Sequence, residues 1–386
     1  MKRNKLRILL HTQYYPPEIG APQNRLADLA QVLMERGFIV SVLTAFPNYP
    51  IGKLYPGYKG VFRKEHLNGV TIYRSLIIPS KSASFPSRML NYFSFLASSL
   101  IVGLTLPRQD VLITESPPLF LGFSSYIISR AKRAKWIFNV ADLWPASVVE
   151  LGLLRENSTL HRLSCRLESF FYRKAWLVTG QSMSILEDIH SRFPVVMTYH
   201  LSNGVDPSKY EPLQNKQNEE LEERIKIVYA GLHGIAQGLE QIVDLAKELK
   251  DDKKIFFELY GDGPEKETLI ALTSHYSLNN LVFHDPVPKG AVAGLLAEAD
   301  ILLVPLKTHL TGAVPSKLYE AMAAGKPVIL IAEGEAARIV NESNCGIVVH
   351  PGDLQELVNA TRHLAGNPMT RIEMGKNGRK TVYENY

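Results

Sequence analysis

Short apolar runs alternate with longer stretches of helical period along almost the whole chain, and few architectures accept that rhythm. Near-continuous Val/Ile/Leu runs at residues 6–10, 39–43, 70–73, 111–114, 136–140 and 177–179, then 225–229, 255–260, 281–283, 301–304 and 327–331, read as strands covered on both faces. The helix-length segments between them are the crossovers that parallel strands require, so the expected class is α/β with parallel sheets. One stretch breaks the pattern. SNGVDPSKYEPLQNKQNEELEERIK is rich in turn residues from Asn203 and then densely charged, so it offers little to a core. The chain therefore divides into two Rossmann-like domains, residues 1–206 and 207–386. Ligands of such sheets bind beyond the carboxyl ends of the strands, which predicts a ligand in a cleft between two facing domains.

Composition excludes whole classes. With 386 residues, 46% hydrophobic and 21% charged, the chain is neither disordered nor fibrous. Cys165 and Cys345 stand far apart without CxxC spacing, so a disulfide framework or structural zinc site has no support and a reducing, cytosolic setting is expected. The opening MKRNKLRILLHTQYYPP has only a short apolar run and reads as a first strand rather than a signal peptide. The net charge of +5 conceals an asymmetry: residues 1–206 carry 24 Lys and Arg against 13 Asp and Glu, whereas residues 207–386 carry 19 against 25. A basic first half is expected to face something anionic, such as a phospholipid surface, a lipid phosphate or nucleic acid; a chance division of surface charge gives the same numbers. Residues 89–107, flanked by Arg88 and Arg108, hold no charge and are long enough to span a bilayer. Their Asn91, Ser94, Ser98, Ser99 and Gly103, and their position between strands of one sheet, argue instead for a buried or partly membrane-dipping helix.

Several familiar signatures are missing. There is no GxGxxG after the first strand, no GxxxxGK[ST], no HExxH and no GxSxG, and Asp251-Asp252 reads as a solvated turn, so no metal is implied. The first strand runs instead into YYPPEIGAPQNRLADLA. There Gly20 permits close backbone approach, the helix start offers amides to an anion, and Arg25 adds a positive charge one turn in. In AVPSKLYEAMAAGKPVI, Pro315, Ser316 and Lys317 stand at a helix start and Glu320 follows three residues on, on the same face; Leu318 is counted with them as a donor-binding residue. Helix-start amides and Lys317 would hold a diphosphate while Glu320 accepts two ribose hydroxyls. A capping box is the structural alternative, but its carboxylate belongs at the third position and this one stands at the fourth. The turns YGDGP, with Gly261 and Gly263, and VYAGLHG, with Gly231 and His233, fall at strand carboxyl ends and read either as nucleotide-cleft lining or simply as turns.

Taken together, the PPEIG loop, SNGVD, VYAG…QGLE, YGDGP, LVFHDPV…LLAEADILLVP and SKLYEAMAAGKPVI, in this order and spacing, resemble the family 4 glycosyltransferases of the GT-B fold over nearly the whole chain. TAFPNYPIGKLYPGYKG, TESPPLF and NVADLWPASVVELG are similar to the bacterial subgroup that builds O-antigen, capsule or exopolysaccharide, in particular L-fucosamine transferases. The resemblance implies a retaining, metal-independent and cofactor-free transfer of N-acetyl-L-fucosamine or a related amino sugar. The donor would be a nucleotide diphosphate sugar, UDP-linked, held mainly by the second domain. The acceptor would be a polyprenyl diphosphate-linked saccharide held by the first, with the protein peripheral at the cytoplasmic face of the inner membrane.

The resemblance also exposes departures. Where the family commonly has an Arg and a Lys after the strand at 225–229, this chain has Leu232 and Gln237, and Gly312 replaces the Glu eight residues before Glu320. Lys317, Arg25 and His233 are then the expected substitutes, with Gly312 and Ala313 offering amides. Asp142, in the DLWP motif after a strand, is the carboxylate expected near the reacting sugar, and Glu115 is the second; for Asp142 a helix N-cap is the structural alternative. Family members commonly continue past the helical pattern that here ends at Tyr386, so a short version or a truncated chain is expected. A UDP-sugar 2-epimerase of the same fold and a non-catalytic nucleotide-sugar-binding scaffold are the competing readings. Nucleic-acid binding has no supporting motif.

Overall fold

The computed structural model describes residues 5–18, 20–80, 85–150, 152–210, 224–308 and 311–386. They form two compact units, Met1–Ser202 and Asn203–Tyr386, dividing where the turn-rich stretch begins at Asn203. Residues 211–223 of the charged stretch, and Ile19 of the PPEIG loop, lie outside the described residues.

The first unit runs β1 (Arg7–His11), α1 (Ala21–Glu35), β2 (Ile39–Ala45), β3 (Phe62–Leu67), β4 (Val70–Ser75), α2 (Phe85–Thr105), β5 (Val111–Ser116), α3 (Leu121–Lys132), β6 (Lys135–Val140), α4 (Ala146–Glu150), α5 (Thr159–Lys174), β7 (Leu177–Gly180), α6 (Met183–Arg192) and β8 (Thr198–His200). Its sheet has the order β3-β4-β2-β1-β5-β6-β7-β8, with every neighbour parallel except the β3/β4 hairpin. Strand alternation divides the apolar residues between two layers. Ile8 and Leu10 pack with Leu26 and Ala30 of α1, while Leu9 packs on the opposite face with Ile128, Phe138 and Phe171.

Helix α2 crosses from β4 to β5 with its polarity partly inverted. Asn91, Phe95 and Ser99 are buried, and a side chain at Gly103 would overlap Ile128 of α3, so a small residue lets the two helices approach. Leu90, Phe93, Ile101 and Leu104 are exposed instead. No helix among the described residues is long and apolar enough to cross a membrane. The uncharged stretch at 89–107 is therefore a crossover helix whose outer face remains apolar.

The second unit runs β9 (Ile225–Ala230), α7 (Glu240–Glu248), β10 (Ile255–Tyr260), α8 (Lys266–His275), β11 (Leu281–His284), α9 (Lys289–Glu298), β12 (Ile301–Pro305), α10 (Ser316–Ala323), β13 (Val328–Ile331), α11 (Glu335–Ser343), β14 (Gly346–Val349), α12 (Leu354–Gly366) and α13 (Pro368–Asn385). Its sheet is wholly parallel in the order β11-β10-β9-β12-β13-β14. One layer gathers Ile227, Phe257 and Leu303 with Leu245 and Leu357; the other gathers Val228, Leu302 and Leu330 with Leu318 and Met322.

Three strands escape the apolar-run reading. Strand β3, FRKEHL, is a charged and largely exposed edge, turned back by Asn68 and Gly69 at φ 50° and 82° into the only antiparallel pair among the described strands. Strands β8 and β14 have only three and four residues, β8 without an apolar run and β14 with one as short as residues 347–349.

Candidate active site

The first unit collects its polar side chains at the carboxyl ends of the central strands. Glu115 of β5, Asn139 of β6 and Thr179 of β7 are register partners and so lie side by side on one face of the sheet. Thr179 Oγ1 donates to Asn139 Oδ1 at 2.6 Å and Asn139 Nδ2 donates to Glu115 Oε2 at 2.7 Å, while the other Glu115 oxygen is ion-paired with Arg25 of α1. All three strand residues are buried. Glu115 thus has both oxygens committed and no approach for a substrate proton. This corrects its assignment as a second catalytic carboxylate: its role is to hold Arg25 and close a polar ladder.

Asp142, two residues beyond β6, behaves differently. It is exposed, and it lies outside the helix that begins at Ala146, so it is no N-cap. The protein mass close around it nevertheless strips hydration from the charged form, and the neighbouring Glu115 charge adds repulsion; against the attraction of Arg25, these raise its carboxyl to about 6. A carboxylate of that affinity is predominantly ionised at neutral pH and within reach of protonation, the condition for a general base. Gly20 sits at the N-cap of α1 without a side-chain cap.

In the second unit the cation nearest the end of β9 is Lys317. A side chain at Gly231, just beyond β9, would overlap Lys317 Cε and come within 2.6 Å of Nζ, so the absence of Cβ there makes the channel through which Lys317 passes. Its ammonium lies 5.7 Å from the Tyr229 ring centroid. It makes no hydrogen bond or ion pair with any described residue. Burial lowers its pKa, opposed by the charge of Glu320 on the same helical face. Lys317 and Ser316 open α10 after Pro315, with no side-chain cap, which removes the capping-box alternative. The turn before it contains Gly312 at φ 77°, followed by Ala313, and neither amide bonds to a described residue.

Other predicted contacts acquire different roles. Leu318 is wholly buried and its amide bonds to Pro315 O at 3.0 Å, so it is a core residue rather than a donor contact, because the helix turns that position toward β12 and β13. His233 is also buried, and burial followed by the charge of Lys266 lowers it to about 4. It is uncharged at neutral pH and cannot replace a missing cation. Both its ring nitrogens lack a partner among the described residues. Its backbone packs under the YGDGP turn: His233 N donates to Asp262 O at 2.9 Å, and His233 O accepts from Glu265 N at 3.0 Å. Side chains at Gly261 and Gly263 would overlap the carbonyls of Gly231 and His233, which explains both glycines as close backbone approaches.

The residues missed from the sequence are positioners. Lys266 donates to the carbonyls of Gly261 and His284 at 2.9 and 3.0 Å, stapling the loops after β10 and β11; Asn139 and Thr179 hold Glu115. Their only signal is a polar residue at a strand or helix end. No group of three or more His, Cys, Asp or Glu among the described residues is arranged to hold a metal.

Two units with parallel sheets, carrying their polar groups at the strand carboxyl ends, are the plan of the GT-B glycosyltransferases. The model of glycosyl transferase 4-like domains matches residues 20–216 and that of glycosyl transferases group 1 matches residues 211–381. The chain belongs to the glycosyl transferase 4-like family and is an enzyme of the hexosyltransferase type. It is 28% identical over 256 residues to the probable glycosyltransferase WbjE of Pseudomonas aeruginosa, an alignment spanning 64% of either chain. It is 24% identical over 373 residues to the putative colanic acid biosynthesis glycosyl transferase WcaI of Escherichia coli K12, covering 92% of this chain and 91% of the relative. The structure of Anabaena Alr3699/HepE in complex with UDP and glucose is 16% identical with a TM-score of 0.71, over 99% of this chain and 95% of that one.

Proposed function

We propose that this enzyme transfers N-acetyl-L-fucosamine or a related amino sugar, with retention and without a metal, from a UDP-linked donor to a polyprenyl diphosphate-linked saccharide in O-antigen, capsule or exopolysaccharide synthesis. The observation that carries the reading is the Lys317 ammonium, which passes against Gly231 and has no hydrogen-bonding or ion-pair partner among the described residues. A departing diphosphate needs that charge, since cationic and N–H groups aimed at developing negative charge lower the barrier most in a water-poor site. Support for UDP comes from HepE, whose structure holds UDP and glucose; support for a surface polysaccharide comes from WcaI, named for colanic acid biosynthesis.

In this reading the bond from the sugar's anomeric carbon to the β-phosphate oxygen breaks, and an acceptor hydroxyl oxygen bonds to the same face. Asp142 orients that hydroxyl or takes its proton. The donor rests on the second domain through Lys317, Glu320 and the turns at Gly231, Gly261 and Gly263. The relatives' names favour a transferase over an epimerase or a scaffold.

Thermal unfolding with UDP, GDP, ADP and dTDP tests the donor. A ligand at about 100 times its Kd stabilises by roughly 2.7 kcal/mol, a shift of a few degrees. A shift selective for UDP is expected, and equal or absent shifts contradict it. The reading also has the basic first domain dock on the cytoplasmic membrane face through the outward Leu90, Phe93, Ile101 and Leu104. Co-sedimentation with anionic vesicles at low salt is expected; recovery in the supernatant overturns the docking.

A further inference from the structure

Two buried polar anchors in the first unit perform no chemistry, yet they bring together three distant segments. Glu18, buried in the loop after β1, accepts from the amides of Asn48 at 2.7 Å, Tyr49 at 2.8 Å and Tyr15 at 3.3 Å, which ties the loop after β2 to the loop after β1. Gln13 Nε2 donates to Asn91 Oδ1 at 2.8 Å, and Asn91 Nδ2 donates to Ile78 O at 2.8 Å, which ties the start of α2 to the same place. Burying a carboxylate and two amides costs free energy unless each is bonded, so such anchors persist where a fixed surface is needed.

What they fix is a tyrosine wall. Tyr14, adjacent to Gln13, meets Tyr49 edge-on with ring centroids 5.6 Å apart, and Tyr92 follows Asn91 on α2 with Arg88 one turn earlier. All three rings are half-buried, yet none of their hydroxyls has a partner among the described residues, and Arg88, exposed beside them, has no carboxylate partner there. Burial pushes the Tyr14 phenol well above its ordinary value, the charges of Tyr92, Glu18 and Tyr49 add to the rise, and that of Arg88 opposes it. Protonated phenols donate and accept with sugar hydroxyls, their rings cover a pyranose face, and a guanidinium binds phosphate oxygens.

We propose that Tyr14, Tyr49, Tyr92 and Arg88 form the acceptor subsite, the rings holding the saccharide and Arg88 the phosphate at its reducing end. The proposal rests on the transferase reading for its lipid-linked acceptor. In this proposal the lipid tail meets the exposed apolar face of the same helix, which carries Leu90 and Phe93.

The test is calorimetric binding of decyl diphosphate-linked N-acetylglucosamine and of uncharged decyl N-acetylglucosaminide, which share sugar and tail. Wild type is expected to bind the charged probe at least tenfold more tightly. Arg88→Gln should remove that difference and leave the uncharged probe unaffected. Tyr14→Phe combined with Tyr49→Phe, which keeps the rings, should weaken both probes about fivefold to tenfold, since each lost hydroxyl removes a hydrogen bond or two. Thermal midpoints of the variants verify folding. Equal affinity of wild type for the two probes, no binding at millimolar concentration, or variants that bind like wild type overturn the subsite. UDP-induced stabilisation of wild type, measured in parallel, reports on the transferase reading alone, so the two fail separately.

Discussion

In the first domain the buried carboxylate of Glu115 finds its partners inside the protein, Arg25 on one oxygen and Asn139 on the other, with Thr179 behind. In the second domain the ammonium of Lys317 has an aromatic face beneath it and no hydrogen-bonding partner among the described residues. A charge removed from water costs several kcal/mol unless compensated. Where the compensation is internal, as at Glu115, the charge is architecture. Where no described residue supplies it, as at Lys317, the charge is left for an anion to meet. Asp142 is intermediate, accessible to solvent and carrying a carboxyl raised to about 6.

The comparison can be broken in order of effect. Asp142→Asn should reduce transfer by a factor of about 100 or more, the usual contribution of a positioned base, while UDP-induced stabilisation persists; turnover within a few-fold of wild type would remove Asp142 from the mechanism. Glu115→Gln should act on stability first. It sets an amide donor against either Arg25 or Asn139, and breaking a buried pair of this kind costs about 3 kcal/mol, read from the midpoint of urea unfolding. An unchanged midpoint would show that the ladder is not structural. Gly231→Ala should weaken UDP about tenfold by displacing the Lys317 side chain, with the first domain unaffected; calorimetry with the nucleotide checks it. Unaltered affinity would mean that Lys317 reaches its ligand by another path. The smallest effect is on pH. Because the carboxylate is the active form and its affinity is raised, turnover should be flat near neutrality and fall about tenfold per pH unit below pH about 6. In Asp142→Asn that limb should vanish from the residual rate.

Much of the fold is legible because both-face burial writes itself as apolar runs: β1, β2, β5, β9 and β12 occupy the centres of their sheets and lie where those runs are. Edges are less visible. Strand β3 is charged because one side faces solvent, and no local pattern separates it from a loop. The site divides similarly. Lys317 is readable as a cation at a helix start, a purely local relation. The role of Glu115 depends on Asn139 and Thr179, 24 and 40 residues further along their respective links, and only strand register brings them abreast. His233 looks like a cation in sequence, but its charge is set by burial under a turn contributed by another strand. Leu318 shares the Lys317 segment, and which of the two faces the core is decided by what α10 packs against.

The most direct test of the account is calorimetric titration of UDP into wild type and Lys317→Met, a substitution that keeps length and loses charge. The account predicts UDP binding by wild type and a loss of about a hundredfold in the variant, roughly 2.7 kcal/mol, with the fold intact by thermal midpoint. Equal affinity of the two proteins for UDP would contradict it, because Lys317, which has no partner among the described residues, would then have no anion to meet.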